Sequence, residues 1–191
     1  MDNAKIAQLR KHYEHALFDD VIPFWMKHSP DREYGGYFTL LDFDGTPYST
    51  DKFMWPQARE VWLFSTLCDM VEKRDEWVQM AKLGWDFIMK HAFHESGRAY
   101  FSFKRDGTPL TMPRQIFSET FIIIAGIRYH RVTGDPEAAR VAHDLYKKVV
   151  EWAETPIAGS QKAIPGARPM SGHAVPMILL NVTREMTLLD G

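Results

Sequence analysis

Apolar residues along this chain fall into two kinds of helical pattern, and the two kinds alternate. Residues 4–28 place Ile6, Leu9, Tyr13, Ala16, Leu17 and Phe24 at helical spacing with charges between them. That spacing predicts an amphipathic helix bent near Pro23. Residues 56–72 are apolar on nearly every side, through Val61, Trp62, Leu63, Phe64, Leu67, Cys68 and Met70, as suits a helix covered all round. Residues 75–91 are half polar again, with Trp77, Ala81, Trp85 and Ile88 opposite Glu76, Lys82 and Lys90. Residues 115–131 repeat the all-apolar kind through Phe121-Ile122-Ile123-Ile124-Ala125, and Gly134-Asp135-Pro136 then breaks the chain and opens a new helix. Residues 136–152 are amphipathic, and residues 172–189 are apolar once more. Two concentric helical layers explain this order: outer helices show one face to water, and inner helices are covered on both sides. The plainer alternative is a six-helix bundle without a mouth.

The connections repeat as well. Gly35-Gly36-Tyr37-Phe38 followed by Asp44-Gly45-Thr46-Pro47-Tyr48 resembles Arg98-Ala99-Tyr100-Phe101 followed by Asp106-Gly107-Thr108-Pro109-Leu110. Matching Tyr37 to Tyr100 and Asp44 to Asp106 gives two offsets that agree to within one position. Each copy reads as a hairpin, over 35–50 and 99–110, turning at Asp-Gly. A repeat of this length, with helices between its copies, is one supersecondary unit used more than once. The predicted fold is therefore an all-α toroid with short β-hairpins on the rim where inner helices begin. Rims of this kind carry binding residues.

Composition changes the picture mainly by exclusion. A chain of 191 residues, 45% hydrophobic and 13% aromatic, is long enough for a single domain with a real core, here taken as residues 1–191. A net charge of −2 gives no compositional case for nucleic acid or an anionic membrane. No apolar run is long enough to span a bilayer. The start Met1-Asp2-Asn3-Ala4-Lys5 has no apolar signal region, and the one cysteine, Cys68, fits a reducing compartment, so a cytoplasmic location is expected.

The polar residues at the starts of the buried helices are the candidate chemistry. Trp55-Pro56-Gln57-Ala58-Arg59 opens the first, Gln115-Ile116-Phe117-Ser118-Glu119 the second, and Ser171-Gly172-His173-Ala174-Val175-Pro176-Met177 the third. A charge beside a buried helix is costly unless it is paired or lines a wet cavity. Arg59 and Glu119 therefore either neutralise each other or serve a polar ligand. In the second case Arg59 offers a planar fork of donors, Glu119 accepts from hydroxyls, and Trp55 stacks on an apolar sugar face. His173 either orients a hydroxyl and handles a proton near neutral pH, or is a satisfied core residue. His91 and His94 form an HxxH at a helix end, where cations are favourable without any metal, so no metal site is expected. Asp-Gly-Thr-Pro is a turn signal, and no phosphate-binding GxxxxGK[ST] occurs.

These residues resemble a known family. Tyr34-Gly35-Gly36-Tyr37-Phe38 with Trp55-x-Gln57-x-Arg59-x-Val61-Trp62 is similar to the opening of the N-acylglucosamine 2-epimerases. So are Arg105-Asp106-Gly107 with Ile116-Phe117-Ser118-Glu119-x-Phe121, and Ala174-Val175-Pro176-Met177-x-Leu179-Leu180-Asn181. The resemblance implies an (α/α)6 barrel of twelve helices, of which this chain holds about six, the N-terminal half. It implies C2 deprotonation and reprotonation of an open-chain aldose such as N-acetylglucosamine or N-acetylmannosamine. Tyr37, Trp55, Gln57, Arg59, Glu119, His173 and Met177 would bind the sugar, with Arg59 placed for an enediolate oxygen. The family's two acid–base histidines belong to its second half, so His173 is the one catalytic candidate here, and isomerase-type relatives carry a histidine near the start of this helix. Hence the expectations: an isomerase by family, a chain inactive by itself, and either self-association or a missing C-terminal half as partner. No cofactor is expected; a nucleotide effector stays open. The alternatives are an aldose–ketose isomerase or cellobiose 2-epimerase relative, a non-catalytic sugar- or protein-binding module, and a glycoside hydrolase, for which the rim offers chiefly Glu119.

Overall fold

The first predicted helix starts one residue early and changes its winding midway. Asp2 caps α1 (Asn3–His15) by accepting from the Ala4 amide at 3.2 Å. Residues Ala16–Val21 then open into a π-helical turn, and α2 (Ile22–His28) carries Pro23 in its first turn. A proline has no N–H to donate, so widening the turn ahead of it absorbs the lost bond. The computed structural model describes residues 2–113, 115–155 and 172–190. Within them follow α3 (Met54–Met70), α4 (Asp75–His91), α5 (Phe117–Thr133), α6 (Pro136–Ala153) and α7 (Ala174–Asp190). The bounds of each lie close to its sequence-based range. Gly134, at φ +76°, closes α5, and Asp135 caps α6 by accepting from the Glu137 amide at 2.9 Å.

The alternation becomes two rows. Helices α3, α5 and α7 lie side by side as the inner row; α4 rests on α3 and α5, and α6 on α5 and α7. Every residue of α5 from Ser118 to Tyr129 is buried, as its unbroken apolar run requires. In α4 only one stripe is buried, including Trp77, Met80, Ala81, Trp85 and Ile88. The outer segment 3–28 is different: α1 buries no residue, and Ile6 and Tyr13 are exposed. None of the helices among the described residues is long and apolar enough to cross a membrane.

Both hairpins form, with strands shorter than their predicted ranges. β1 (Leu40–Leu41) pairs with β2 (Pro47–Ser49), while β4 (Ser102–Phe103) pairs with β5 (Pro109–Thr111) on one side and β3 (Lys52–Phe53) on the other. All pairs are antiparallel. The turns are alike: the Asp42 amide donates to the Thr46 carbonyl, the Lys104 amide to the Thr108 carbonyl, both at 2.8 Å. The histidine ending each outer helix packs over the turn glycine, so a Cβ at Gly45 would collide with His28 and one at Gly107 with His91.

Hydrogen bonds fix the repeat register and correct one alignment. The Tyr37 amide donates to Gln57 on α3, and the Ala99 amide donates to Glu119 on α5, at 2.9 Å each. The Phe38 amide donates to the Ser29 carbonyl, and the Tyr100 amide to the Ala92 carbonyl. Tyr37 therefore corresponds to Ala99, and one offset, that of Asp44 to Asp106, holds from hairpin to inner helix. Matching the two tyrosines instead pairs residues that play different parts. Tyr37 fills the space left open by Gly84 on α4, and its hydroxyl donates to the Met80 carbonyl at 2.5 Å.

The rim is also cross-linked by charge. Lys52 and Asp31, with both side chains fully buried, pair at 2.9 Å, and the Lys52 ammonium donates to the carbonyls of Gly35 and Arg105 as well. Arg105 adds two bonds to Asp31, at 3.0 and 3.1 Å. Burial pushes the Asp31 carboxyl up, but Arg105 and Lys52 outweigh it and hold it below the ordinary carboxylate value. This knot binds the second hairpin to the first unit, so both hairpins stand at the ends where inner helices begin.

Candidate functional site

On α3, positions 55, 59, 62, 66 and 69 follow 4–3–4–3 spacing and so share one stripe. On α5 the same stripe recurs at the hairpin offset, at positions 117, 121, 124, 128 and 131. The two stripes touch at the rim and again at the far end. At the rim, the Trp55 ring meets Phe101, Phe117 and Phe121 at centroid distances of 5.8, 5.5 and 5.7 Å. The Arg59 guanidinium lies 4.4 Å over the Phe121 ring. Arg59 is exposed and has no carboxylate partner among the described residues. Its fork of donors thus lies over an aromatic ring, with no hydrogen bond or ion pair to another described residue. The Trp55 Nε1 donor is out of water with no partner among the described residues.

Further along the stripes, opposite charges close the row. Arg128 binds Glu185 on α7 at 2.7 and 3.0 Å and Asp69 on α3 at 2.9 Å, and Arg131 adds two bonds to Asp69. The Arg131 bonds, with Arg128 beside them, hold the Asp69 carboxyl below its ordinary value. The helical path from Arg59 to Asp69 is roughly 15 Å at about 1.5 Å per residue. The inner face therefore runs from an aromatic rim bearing a free cation to an ion-paired floor joining α3, α5 and α7.

The remaining candidates divide into two groups. His173 and Met177 are exposed at the start of α7, where the His173 carbonyl accepts from the Met177 amide at 3.1 Å; Ser171 lies outside the described residues. Tyr37, Gln57 and Glu119 are fully buried instead. The Gln57 amide group accepts from the Tyr37 N–H at 2.9 Å and donates to the Tyr37 carbonyl at 2.7 Å. Glu119 Oε1 accepts from the Ala99 amide and from Arg98 Nε at 2.6 Å. These side chains fasten hairpins to inner helices and lie beneath the rim. The Arg59–Glu119 pair does not form, because Glu119 sits off the Phe117–Phe121 stripe and faces Arg98. Gln57 and Glu119 are separated by the same offset as Asp44 and Asp106, so the sequence groups them as one place in two units without naming their partners.

Glu60, which the sequence reading passed over, is also buried, and the Ser29 hydroxyl donates to it at 2.8 Å. Burial pushes its carboxyl up to about 8. His91 of the HxxH packs on the Phe87 ring and over Gly107, and burial lowers its pKa. Among the described residues no group of three or more His, Cys, Asp or Glu is arranged to hold a metal ion.

A double row of outer and inner helices, with hairpins at one rim and a polar–aromatic stripe on the inner row, defines part of an α/α toroid. The sequence profile of the N-acylglucosamine 2-epimerase family matches residues 36–190, and the chain belongs to that family. It is 36% identical over 177 residues to the N-acylglucosamine 2-epimerase of Bos taurus, covering 90% of this chain and 42% of that protein. It is 29% identical over 143 residues to the cellobiose 2-epimerase of Bacteroides fragilis, covering 74% and 36%. Among solved structures, the cellobiose 2-epimerase of Bacillus thermoamylovorans superposes with a TM-score of 0.83 at 20% identity, covering 97% of this chain and 52% of that one. The fold is the (α/α)6 type, represented here by three outer–inner units, and the chain spans less than half the length of the curated relatives it matches.

Proposed function

We propose that this chain supplies the N-terminal three units of a sugar 2-epimerase, acting on an open-chain aldose such as N-acetylglucosamine or N-acetylmannosamine. The reading rests on family membership and on one observation above others: Arg59 lies on Phe121 beside Trp55 without a carboxylate partner among the described residues. Arg98, Arg105 and Arg128 are all committed to carboxylates. A free guanidinium over an aromatic wall suits an oxygen that gains charge as the C2 proton leaves. Trp55 supplies apolar surface for the sugar chain, and His173 and Met177 extend the face onto α7. Tyr37, Gln57 and Glu119 hold the rim in place.

Epimerisation needs a base on one face of C2 and an acid on the other. The inner face described here carries His173 as its one histidine at the rim, so a complete acid–base pair requires groups from beyond these three units. Incubation of the 191-residue chain alone with N-acetylmannosamine in heavy water is expected to place no deuterium at C2 by NMR. Binding is the direct test. Saturation-transfer NMR with N-acetylmannosamine is expected to show contact with the wild-type chain and a much weaker signal for Arg59→Lys, because an ammonium cannot reproduce the planar fork. Equal signals from the two proteins would remove Arg59 from the site.

A further inference from the structure

One phenylalanine at the root of the second hairpin packs on an inner helix of the unit before it. Phe101 comes just before β4, and its backbone is held on both sides: its carbonyl accepts from the Met54 amide at 2.9 Å, and its amide donates to the Thr111 carbonyl at 2.8 Å. Its ring meets two rings at the start of α3, Phe53 at 5.6 Å and Trp55 at 5.8 Å, both edge to face. From Trp55 the contacts pass to Phe121 on α5 at 5.7 Å, and from Phe121 to the Arg59 guanidinium at 4.4 Å. A hairpin and two inner helices therefore meet in one run of side chains that ends at Arg59.

The hairpin does not need a ring at this place for its own folding. Thr39 precedes β1 as Phe101 precedes β4, at the offset of Asp44 to Asp106. With threonine there the first hairpin forms the same turn, and it is fastened to its inner helix at the same place, by Gln57 where the second hairpin uses Glu119. What Phe101 adds is contact with the aromatic wall beside Arg59. That wall matters to the arginine more than to most side chains. Arg59 is exposed and makes no hydrogen bond or ion pair to another described residue, so its lie over the Phe121 ring is what selects one orientation from the many open to a long side chain. Phe121 is 8% exposed, with Trp55 against it, so the tilt of its ring follows the position of Trp55.

We propose that Phe101 is a positioning residue for Arg59: by wedging against Trp55 it fixes the Phe121 ring on which the guanidinium lies. The rim hairpin of the second unit thereby aims the donor fork of the first. Its consequence for sugar binding rests on the reading of Arg59 as a sugar ligand; the positioning itself does not.

The test reads the arginine without sugar. In a sample with isotope-labelled arginine, the Arg59 side-chain methylene signals, assigned by their loss in Arg59→Lys, are expected to lie upfield under the Phe121 ring current and to lose that displacement in Phe121→Leu. Phe101→Leu is expected to move them in the same direction, and Phe101→Tyr to leave them in place. Phe101→Thr, which installs the first hairpin's own residue, is expected to act as Phe101→Leu does. A purely structural Phe101 would lower the urea midpoint and leave the arginine signals where they are. In saturation-transfer titrations, Phe101→Leu is expected to weaken N-acetylmannosamine binding by about threefold or more, with recovery in Phe101→Tyr. Arginine signals that ignore both Phe101→Leu and Phe101→Thr overturn the proposal, and so do signals that ignore Phe121→Leu. A wild-type chain that shows no transfer to the sugar while its arginine signals respond to Phe101 overturns the sugar reading alone.

Discussion

Two carboxyl groups are buried on neighbouring inner helices, and the protein treats them in opposite ways. Glu119 on α5 has Arg98 at 2.6 Å and the Ala99 amide at 2.9 Å, and Arg98 is anchored in turn by the Gln115 carbonyl. Glu60 on α3 has the Ser29 hydroxyl and no cation among the described residues. Each leaves its other oxygen out of water and without a hydrogen-bond partner among the described residues. The cost of dehydrating a carboxylate is met by a counter-charge in the first case and avoided by keeping the proton in the second. The same logic explains Gln57, which holds Glu119's place in the first unit. An amide both accepts from and donates to the Tyr37 backbone, so that unit needs no arginine. A repeat keeps the place of a fastening and leaves its charge free, provided each charge brings its own partner.

The largest effect should come from removing the unpaired carboxyl. The pKa of Glu60 rises from an ordinary 4.5 to about 8 in the folded protein. Between those values the native state keeps a proton that the unfolded chain releases. Stability therefore falls as pH rises from 4.5 to about 8 and is level above, with a total loss of up to about 5 kcal/mol. Glu60→Gln should gain most of that at about pH 9 and almost nothing at the acid end of the range, in urea midpoints measured across it. Parallel profiles for the two proteins would mean that Glu60 is charged or hydrated in the native state.

Breaking the paired carboxyl should cost somewhat less. Arg98→Met strands Glu119 without its cation, a loss of about 3–5 kcal/mol. Adding Glu119→Gln should recover part of it, since the second unit then has the neutral chemistry of the first. Failure of the double variant to improve on the single one would show that Arg98 contributes through its packing on Trp152, where its guanidinium lies 5.3 Å from the ring, and not through charge.

The smallest stability effect belongs to Arg59, which has no carboxylate partner among the described residues. Arg59→Ala gives up one exposed cation–π contact, worth under about 1 kcal/mol, and its urea midpoint should stay close to wild type. A large destabilisation would place Arg59 among the structural fastenings with Arg98 and take away the contrast on which the sugar reading rests.

The sequence by itself determined the layers. A helix covered on all sides must be apolar all round and a half-covered one must be striped, so residues 115–131 and 75–91 announce their rows without knowledge of their neighbours. The Asp-Gly turns fixed the hairpins for the same local reason. What the tertiary structure decided was direction. Gln57 and Arg59 are near neighbours on a helix whose periodicity is hidden by its uniform apolarity, and only their contacts show that one faces the hairpin and the other Phe121. The partner of Glu119 was equally out of reach, because Arg59 and Arg98 are both arginines near the rim and pairing is set by which of them shares a face with the carboxylate. The one-position slip between the tyrosines was invisible for a related reason: aligned letters record similarity, and equivalence is recorded by the bonds of Tyr37 and Ala99.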